Sequence, residues 1–205
     1  MPGDPYLYPG TAVLKNKLGI RDADQLQAIE FQETALRAPD ALEYARRRGT
    51  LDEPSWRGIH RILFRNVYSG AGKLRTVELS KGGTAFAPVR APSGYADRHI
   101  LPAFRVTATD AGSDDRKFAA ALAECWGELN FLHPFREGNG RATQFFVMAL
   151  AQWHGRTIDW RKVDRAAEIA AAQAAANKNY QPYADLLAEV MEPWPPGGRD
   201  RSPVD

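Results

Sequence analysis

From Ser113 to Leu132 an apolar residue returns every three or four positions: Phe118, Leu122, Cys125 with Trp126, Leu129 and Leu132, behind the N-terminal signature Ser113-Asp114-Asp115. A stripe of that period is buried by packing one face of a helix on other elements, so it commits the middle of the chain to a helical body. The neighbouring segments agree. Asp22 can cap a helix in which Leu26, Ile29 and Leu36 recur, with Phe31 to one side, ending before Pro39. Trp56, Ile59, Ile62 and Leu63 put one apolar face on a helix from about Glu53 to Phe64. Further helices are expected from Asn139 to His154, from Asp164 to Ala176 and from Tyr183 to Val190. The run Arg46-Arg47-Arg48 reads as a solvated helix end, where cations suit the dipole. One strand signal interrupts the helices: Arg75 to Leu79 alternates through Val77 and Leu79, Lys81-Gly82-Gly83 turns, and Thr84 to Val89 returns. The fold expected is all-α with one β-hairpin. Such a hairpin is marginal alone, so it must be propped on the helices, and its open edge could hold an extended peptide.

At 205 residues the chain fits one domain, expected over residues 1–191. The last stretch, EPWPPGGRDRSPVD from Glu192 to Asp205, has too many prolines and glycines for a helix or strand and is expected to be a loose tail. The central apolar run Phe145 to Ala151 stops at Gln152, far below the roughly 20 residues that span a bilayer. Met1 to Pro9 lacks the charged stub and apolar run of a secretory signal, so a cytoplasmic location is expected. A single cysteine excludes an internal disulfide framework, and four scattered histidines give no zinc spacing. A net charge of +2 is too balanced to argue for nucleic acid as a partner.

Chemistry concentrates in His133-Pro134-Phe135-Arg136-Glu137-Gly138-Asn139-Gly140-Arg141, a loop between the two best-defined helices. Gly138 and Gly140 flank Asn139 and allow the tight backbone that brings several N–H groups to one point at a helix N-terminus, an anion cradle. Arg141 is a cation in a first turn, where the dipole disfavours it, and a bound phosphate would account for it. Glu137 is a hard oxygen ligand of the kind magnesium takes beside phosphates. His133 has an ordinary pKa suited to a general base. Phe135 reads as the apolar anchor of the loop. A phosphate loop at Gly70 to Thr76 is rejected, because Leu74 follows Lys73 where Ser or Thr would be needed. His60, His99 and His154 have no such context and read as structural.

HPFREGNGR resembles the signature H-x-F-x-[DE]-G-N-G-R-x-x-R of the Fic (filamentation induced by cyclic AMP) family. Asp4-Pro5-Tyr6-Leu7-Tyr8-Pro9-Gly10 is similar to the start of the stand-alone FicT-type bacterial toxins, and Gly70-Ala71-Gly72-Lys73-Leu74-Arg75 to the W-A-G-K-[IL]-R segment before the family's flap. The resemblance implies an all-α Fic fold with a hairpin flap, and AMP transfer from ATP to a target Tyr, Ser or Thr. His133 would be the base and Glu137 the Mg²⁺ ligand; Gly138, Asn139, Gly140, Arg141 and Gln144 would face the phosphates. Lys81, Gly83, Thr84, Ala85 and Phe86 of the flap would align the target or touch the nucleotide, and Asn177 and Tyr180 would line the adenine pocket. The family precedent without an internal S/T-x-x-x-E-[GN] helix, which this chain lacks, is inhibition in trans by a small antitoxin. The targets implied are DNA gyrase and topoisomerase IV subunits.

Two positions depart from the pattern. Gln144 stands where the second arginine belongs, which implies a weaker hold on the terminal phosphate and a raised KM for ATP, since an amide carries no charge. Gly70 replaces the tryptophan at the flap's base. Three other readings stay open. A Doc-type kinase is disfavoured by Gly140, where that branch has lysine; transfer of another nucleotide such as UMP is open because the base pocket is not legible. A degenerate Fic domain that binds protein partners through the flap is the third, argued against by the intact His133 and Glu137.

Overall fold

The computed structural model describes residues 4–81, 84–91 and 93–194, and among them seven α-helices and two small antiparallel sheets. The helices are α1 (Ala23–Arg47), α2 (Glu53–Phe64), α3 (Leu101–Ala111), α4 (Asp115–Leu132), α5 (Asn139–Trp153), α6 (Arg165–Ala176) and α7 (Gln181–Val190). The strands are β1 (Ser80–Lys81), β2 (Thr84–Ala85), β3 (Arg156–Ile158) and β4 (Met191–Pro193). The all-α expectation with a small hairpin holds.

Acidic N-caps start the helices where the sequence places them. Asp22 accepts from the Gln25 N–H at 2.8 Å, Asp52 from Ser55 at 2.8 Å, and Asp114 from Arg116 and Lys117, each at 3.1 Å. Helix α4 is central: Phe118, Leu122 and Leu129 have no exposure, and Trp126 stacks on Tyr183 of α7 with ring centroids 3.9 Å apart. Cys125, on the same stripe, is a buried free thiol whose pKa burial raises. No helix among the described residues is long and apolar enough to cross a membrane.

The structure corrects the sequence reading in four places. Helix α1 runs through Pro39 to Arg47, because its second half packs closely on α2: Ala41 and Ala45 are buried, and Tyr44 lies so near Gly58 that a Cβ there would be 2.2 Å from its hydroxyl. The buried stripe of α1 also differs from the expected one. It takes Leu26, Glu30 and Thr34, while Phe31 and Leu36 are 71% and 72% exposed. Helix α3 and the π-helical turn Ala96–Ile100 before it were not expected at all. Finally, Glu192 and Pro193 belong to a strand and not to a loose tail: β4 pairs with β3 through Arg156↔Pro193, Thr157↔Glu192 and Ile158↔Met191, and the Trp194 N–H donates to Gly155 at 2.8 Å. The rest of the expected tail, residues 195–205, lies outside the described residues, as does Gly83 of the flap.

The flap ladder is shorter than its sequence signal, pairing Ser80↔Ala85 and Lys81↔Thr84 only. Around it the backbone is fastened to the helical body instead. The Arg75 N–H donates to Pro134 at 2.8 Å and the Ala87 N–H to Phe131 at 3.0 Å. The buried member of the Arg75 to Leu79 stretch is Arg75 itself. Its Nε donates to the His133 carbonyl at 2.8 Å, Nη1 to Val77 at 2.7 Å, and Nη2 to Ala87, so one guanidinium clasps both limbs of the flap to the end of α4.

Candidate active site

Helix α4 ends on His133, which takes a left-handed backbone (φ 45°, ψ 58°) and turns the chain into the loop. Phe135 then drops into the core with no exposure, edge-on to Trp56 at 5.5 Å and stacked on His60 at 3.9 Å, as the apolar anchor expected of it. Asn139 closes the loop from the other side. Its Oδ1 accepts the Phe135 N–H and its Nδ2 donates to the Phe135 carbonyl, both at 2.8 Å, with the residue only 3% exposed. The Asn139 side chain is therefore spent inside the loop, and its share in an anion cradle comes down to its backbone N–H.

His60, which looked merely structural in sequence, holds the next bond. Its Nδ1 accepts the Gly72 N–H at 2.8 Å, which leaves Nε2 as the donor to the Glu137 carbonyl at 2.9 Å. Burial pushes its pKa down to about 4, so it stays neutral and keeps that tautomer. Gly138 has φ 77° and lies against Phe64, where a Cβ would come within 2.3 Å of the ring. It is the N-cap of α5, and no side chain caps that helix. The first-turn N–H donors of α5 are thus left without a capping oxygen, the condition for binding an anion.

His133 stands at the edge of this loop. Nδ1 lies 3.0 Å from the Asn130 carbonyl, which can only accept, so Nδ1 carries the proton and Nε2 offers a lone pair. Desolvation first, then the charges of Arg75 and Lys81, lower its pKa to about 4 against the opposing Asn130 bond. Phe86 of the flap stacks on the imidazole at 3.6 Å and 10°. The flap residues Lys81 and Ala85 are exposed beside it.

Charge in the loop is paired. Arg136 donates to Asp4 at 2.9 and 2.7 Å. Arg141 donates through Nη2 to Glu30 of α1 at 2.5 Å, approaches Glu137 at 3.8 Å, and lies over the Phe64 ring at 4.7 Å. Gln144 is half-buried one turn further along α5. The Glu137 carboxylate is 45% exposed and accepts the Gly138 N–H at 3.0 Å. Among the described residues no group of three or more His, Cys, Asp or Glu is placed to hold a metal alone. A single outward carboxylate beside an anion site fits a magnesium ion whose remaining ligands are phosphate oxygens and water.

Tyr180 lines a cavity of about 470 Å³ between α3, α4 and the turn joining α6 to α7, with Glu128 and Lys178 on the same wall and Tyr95 and His99 opposite. Glu128 accepts from the Tyr180 hydroxyl and from Lys178, the latter at 2.5 Å. Asn177, paired with Tyr180 in the sequence reading, caps α6 with its amide 3.5 Å from the Gln173 carbonyl and is not among the described lining residues. Sequence reasoning passed over Glu30, read His60 only as structural and Arg75 only as part of the segment before the flap, since nothing in the sequence marks the long-range partner that makes each of them matter.

Comparison with known proteins agrees with this fold. The Fic/DOC family model matches residues 50–151. The chain is 33% identical over 191 residues to the Escherichia coli (strain K12) protein named "Probable protein adenylyltransferase Fic", covering 92% of each. It is 34% identical over 188 residues to the protein adenylyltransferase VbhT of Bartonella schoenbuchensis, spanning 92% of this chain but only 38% of that longer protein. Among solved structures, the N-terminal Fic domain of a VirB-translocated Bep effector from Bartonella quintana, with bound ADP, superposes with a TM-score of 0.78 at 28% identity, covering 92% of this chain and 95% of that one. BepC of Bartonella tribocorum, with bound AMPPNP, gives 0.77 at 26% identity, covering 93% and 97%.

Proposed function

The chain belongs to the Fic/DOC family, and on that premise we propose that it is a protein adenylyltransferase, moving AMP from ATP to a hydroxyl side chain of another protein. The observation that carries the assignment of the base is the His133 tautomer: with Nδ1 committed to Asn130, Nε2 is the lone pair turned to chemistry. Nε2 takes the proton of the target hydroxyl as its oxygen bonds to the α-phosphorus, and the bond from that phosphorus to the bridging oxygen breaks with pyrophosphate leaving. The uncapped first-turn N–H groups at Asn139 and Gly140 would meet the phosphates, joined by that of Gly138 once the Glu137 carboxylate turns from it to the metal, with Arg141 and Gln144 beside them. Glu137 is the residue that would hold Mg²⁺, and the ion would offset phosphate charge. ADP and AMPPNP in the two Bartonella relatives support a nucleotide as substrate.

The cavity beside Tyr180 is the place for the base, with Lys178 and Glu128 as its polar wall. Lys81, Thr84 and Ala85 of the flap would lay the target segment along the strand edge. The partners proposed are a small antitoxin that inhibits in trans, since no internal S/T-x-x-x-E-[GN] segment is present, and gyrase or topoisomerase IV subunits as targets. Purified protein incubated with ATP labelled on the α-phosphate, Mg²⁺ and these subunits should label a subunit, and adding the antitoxin should abolish the label. Absence of labelled protein from the subunits and from a cell lysate alike would refute the assignment.

A further inference from the structure

Helix α1 spends a core position on a carboxylate. Glu30 is 7% exposed, on the stripe between Leu26 and Thr34, and both its oxygens are engaged: Oε1 by the Tyr68 hydroxyl and Oε2 by Arg141 at 2.5 Å. A buried charge with one partner removed is costly, so this pairing is a built one. Tyr68 is itself 9% exposed, and burial and Glu30 together raise its pKa, which keeps it a donor at every ordinary pH.

The arrangement constrains Arg141 on two sides. Glu30 takes one edge of the guanidinium, and the Phe64 ring lies under its face. A guanidinium has five N–H donors in one plane, so an edge and a face fixed by the protein leave the others in a set direction. The Arg141 side chain remains a quarter exposed. Arg136, the other loop arginine, is held at both Nε and Nη2 by Asp4, and Gln144 carries no charge. Arg141, held through Nη2 alone, is therefore the loop cation that commits fewer of its donors to the protein.

We infer that Glu30, backed by Tyr68, is a positioning residue for Arg141, aiming its remaining N–H donors at the nucleotide's phosphates. The inference rests on the nucleotide-binding reading of the loop. A different role for the same pair, a counter-ion that competes with phosphate, has the opposite consequence and is decided by the same experiment.

The test uses Glu30→Ala, Glu30→Gln and Tyr68→Phe, with affinities for ATP and for adenosine measured by calorimetry in Mg²⁺ buffer, and NMR of the Arg141 Nε–H in the absence of nucleotide. The amide oxygen of glutamine still accepts from Arg141, so Glu30→Gln should stay within about threefold of the parent affinity for ATP, while Glu30→Ala should weaken it about tenfold and Tyr68→Phe less. Adenosine, which has no phosphate, should bind all four proteins alike. The Arg141 Nε–H should be ordered in the parent and in Glu30→Gln and mobile in Glu30→Ala. Tighter ATP binding in Glu30→Ala or Glu30→Gln would overturn positioning in favour of competition. Parallel losses for ATP and adenosine would reduce Glu30 to a structural residue. An Nε–H equally ordered in all variants would also overturn the inference. Failure of the parent to bind any nucleotide would overturn the functional reading, and the NMR result would still decide whether Glu30 holds Arg141.

Discussion

His133 combines two features at one residue: a tautomer fixed by the Asn130 carbonyl and a pKa lowered to about 4 chiefly by burial. A base with a lowered pKa is unprotonated over the whole neutral range. The account predicts that kcat/KM for transfer stays level from about pH 8 to about pH 5.5 and falls below that, where an ordinary histidine would lose half its activity near its usual pKa of about 6.5. A pH–rate profile checks this, and an acid limb centred on the usual value would contradict it. Asn139 gives the residue-scale test of the loop. Asn139→Ala leaves the Phe135 N–H and carbonyl buried and unpaired, and should cost about 2–4 kcal/mol in denaturant unfolding. His60 adds a pH term of known sign: between about pH 6.5 and about 4 the unfolded chain takes up a proton that the buried ring refuses. Stability should therefore drop by up to about 1.4 kcal/mol per pH unit as pH falls through that window, and the loss should be absent above it. The motif residues were legible at this scale as candidates because the chemistry of His, Glu and Gly is local. The Glu30, His60 and Arg75 contributions were not, since each depends on a partner 111, 77 or 58 positions away.

At the scale of elements, the flap covers the imidazole of His133. Phe86 lies flat on the His133 ring, and Arg75 ties the flap's two limbs to the end of α4. Removing that cover should rehydrate the imidazole. In Phe86→Ala the His133 pKa, followed by NMR titration of the ring, should rise from about 4 toward its ordinary value, and the acid limb of the activity profile should move with it. A titration identical to the parent's would show that burial by the flap is not the cause. Helix positions were readable in the sequence wherever an acidic cap preceded a periodic apolar run, as at Asp22, Asp52, Asp114 and Asp164. They were not readable where tertiary packing overrode local preference. Pro39 sits inside α1 because the following turns are held against Gly58 of α2, and α3 follows a π-helical turn that no cap announces.

For the whole molecule, the β3–β4 sheet joins the segment after α5 to the segment after α7, so the expected boundary between residues 191 and 192 cuts through a strand. Protein ending at Val190 loses three ladder positions and should melt several degrees below protein ending at Trp194. Equal melting temperatures would mean that β4 contributes nothing to the fold. The pairing was hidden in sequence because Arg156 to Ile158 and Met191 to Pro193 are three residues each, too short to show a period. What the molecule assembles is one loop, pinned by His60, Asn139 and Arg75, that holds the neutral imidazole of His133, the proposed base, beside an uncapped helix N-terminus. The claim that this loop transfers AMP is tested most directly with α-labelled and γ-labelled ATP. Parent and His133→Ala protein are incubated with each in the presence of Mg²⁺, gyrase and topoisomerase IV subunits and a cell lysate. The account predicts protein labelled from the α-phosphate and not from the γ-phosphate, with the label lost in His133→Ala. Label from the γ-phosphate, or α-label that survives the loss of His133, would contradict it.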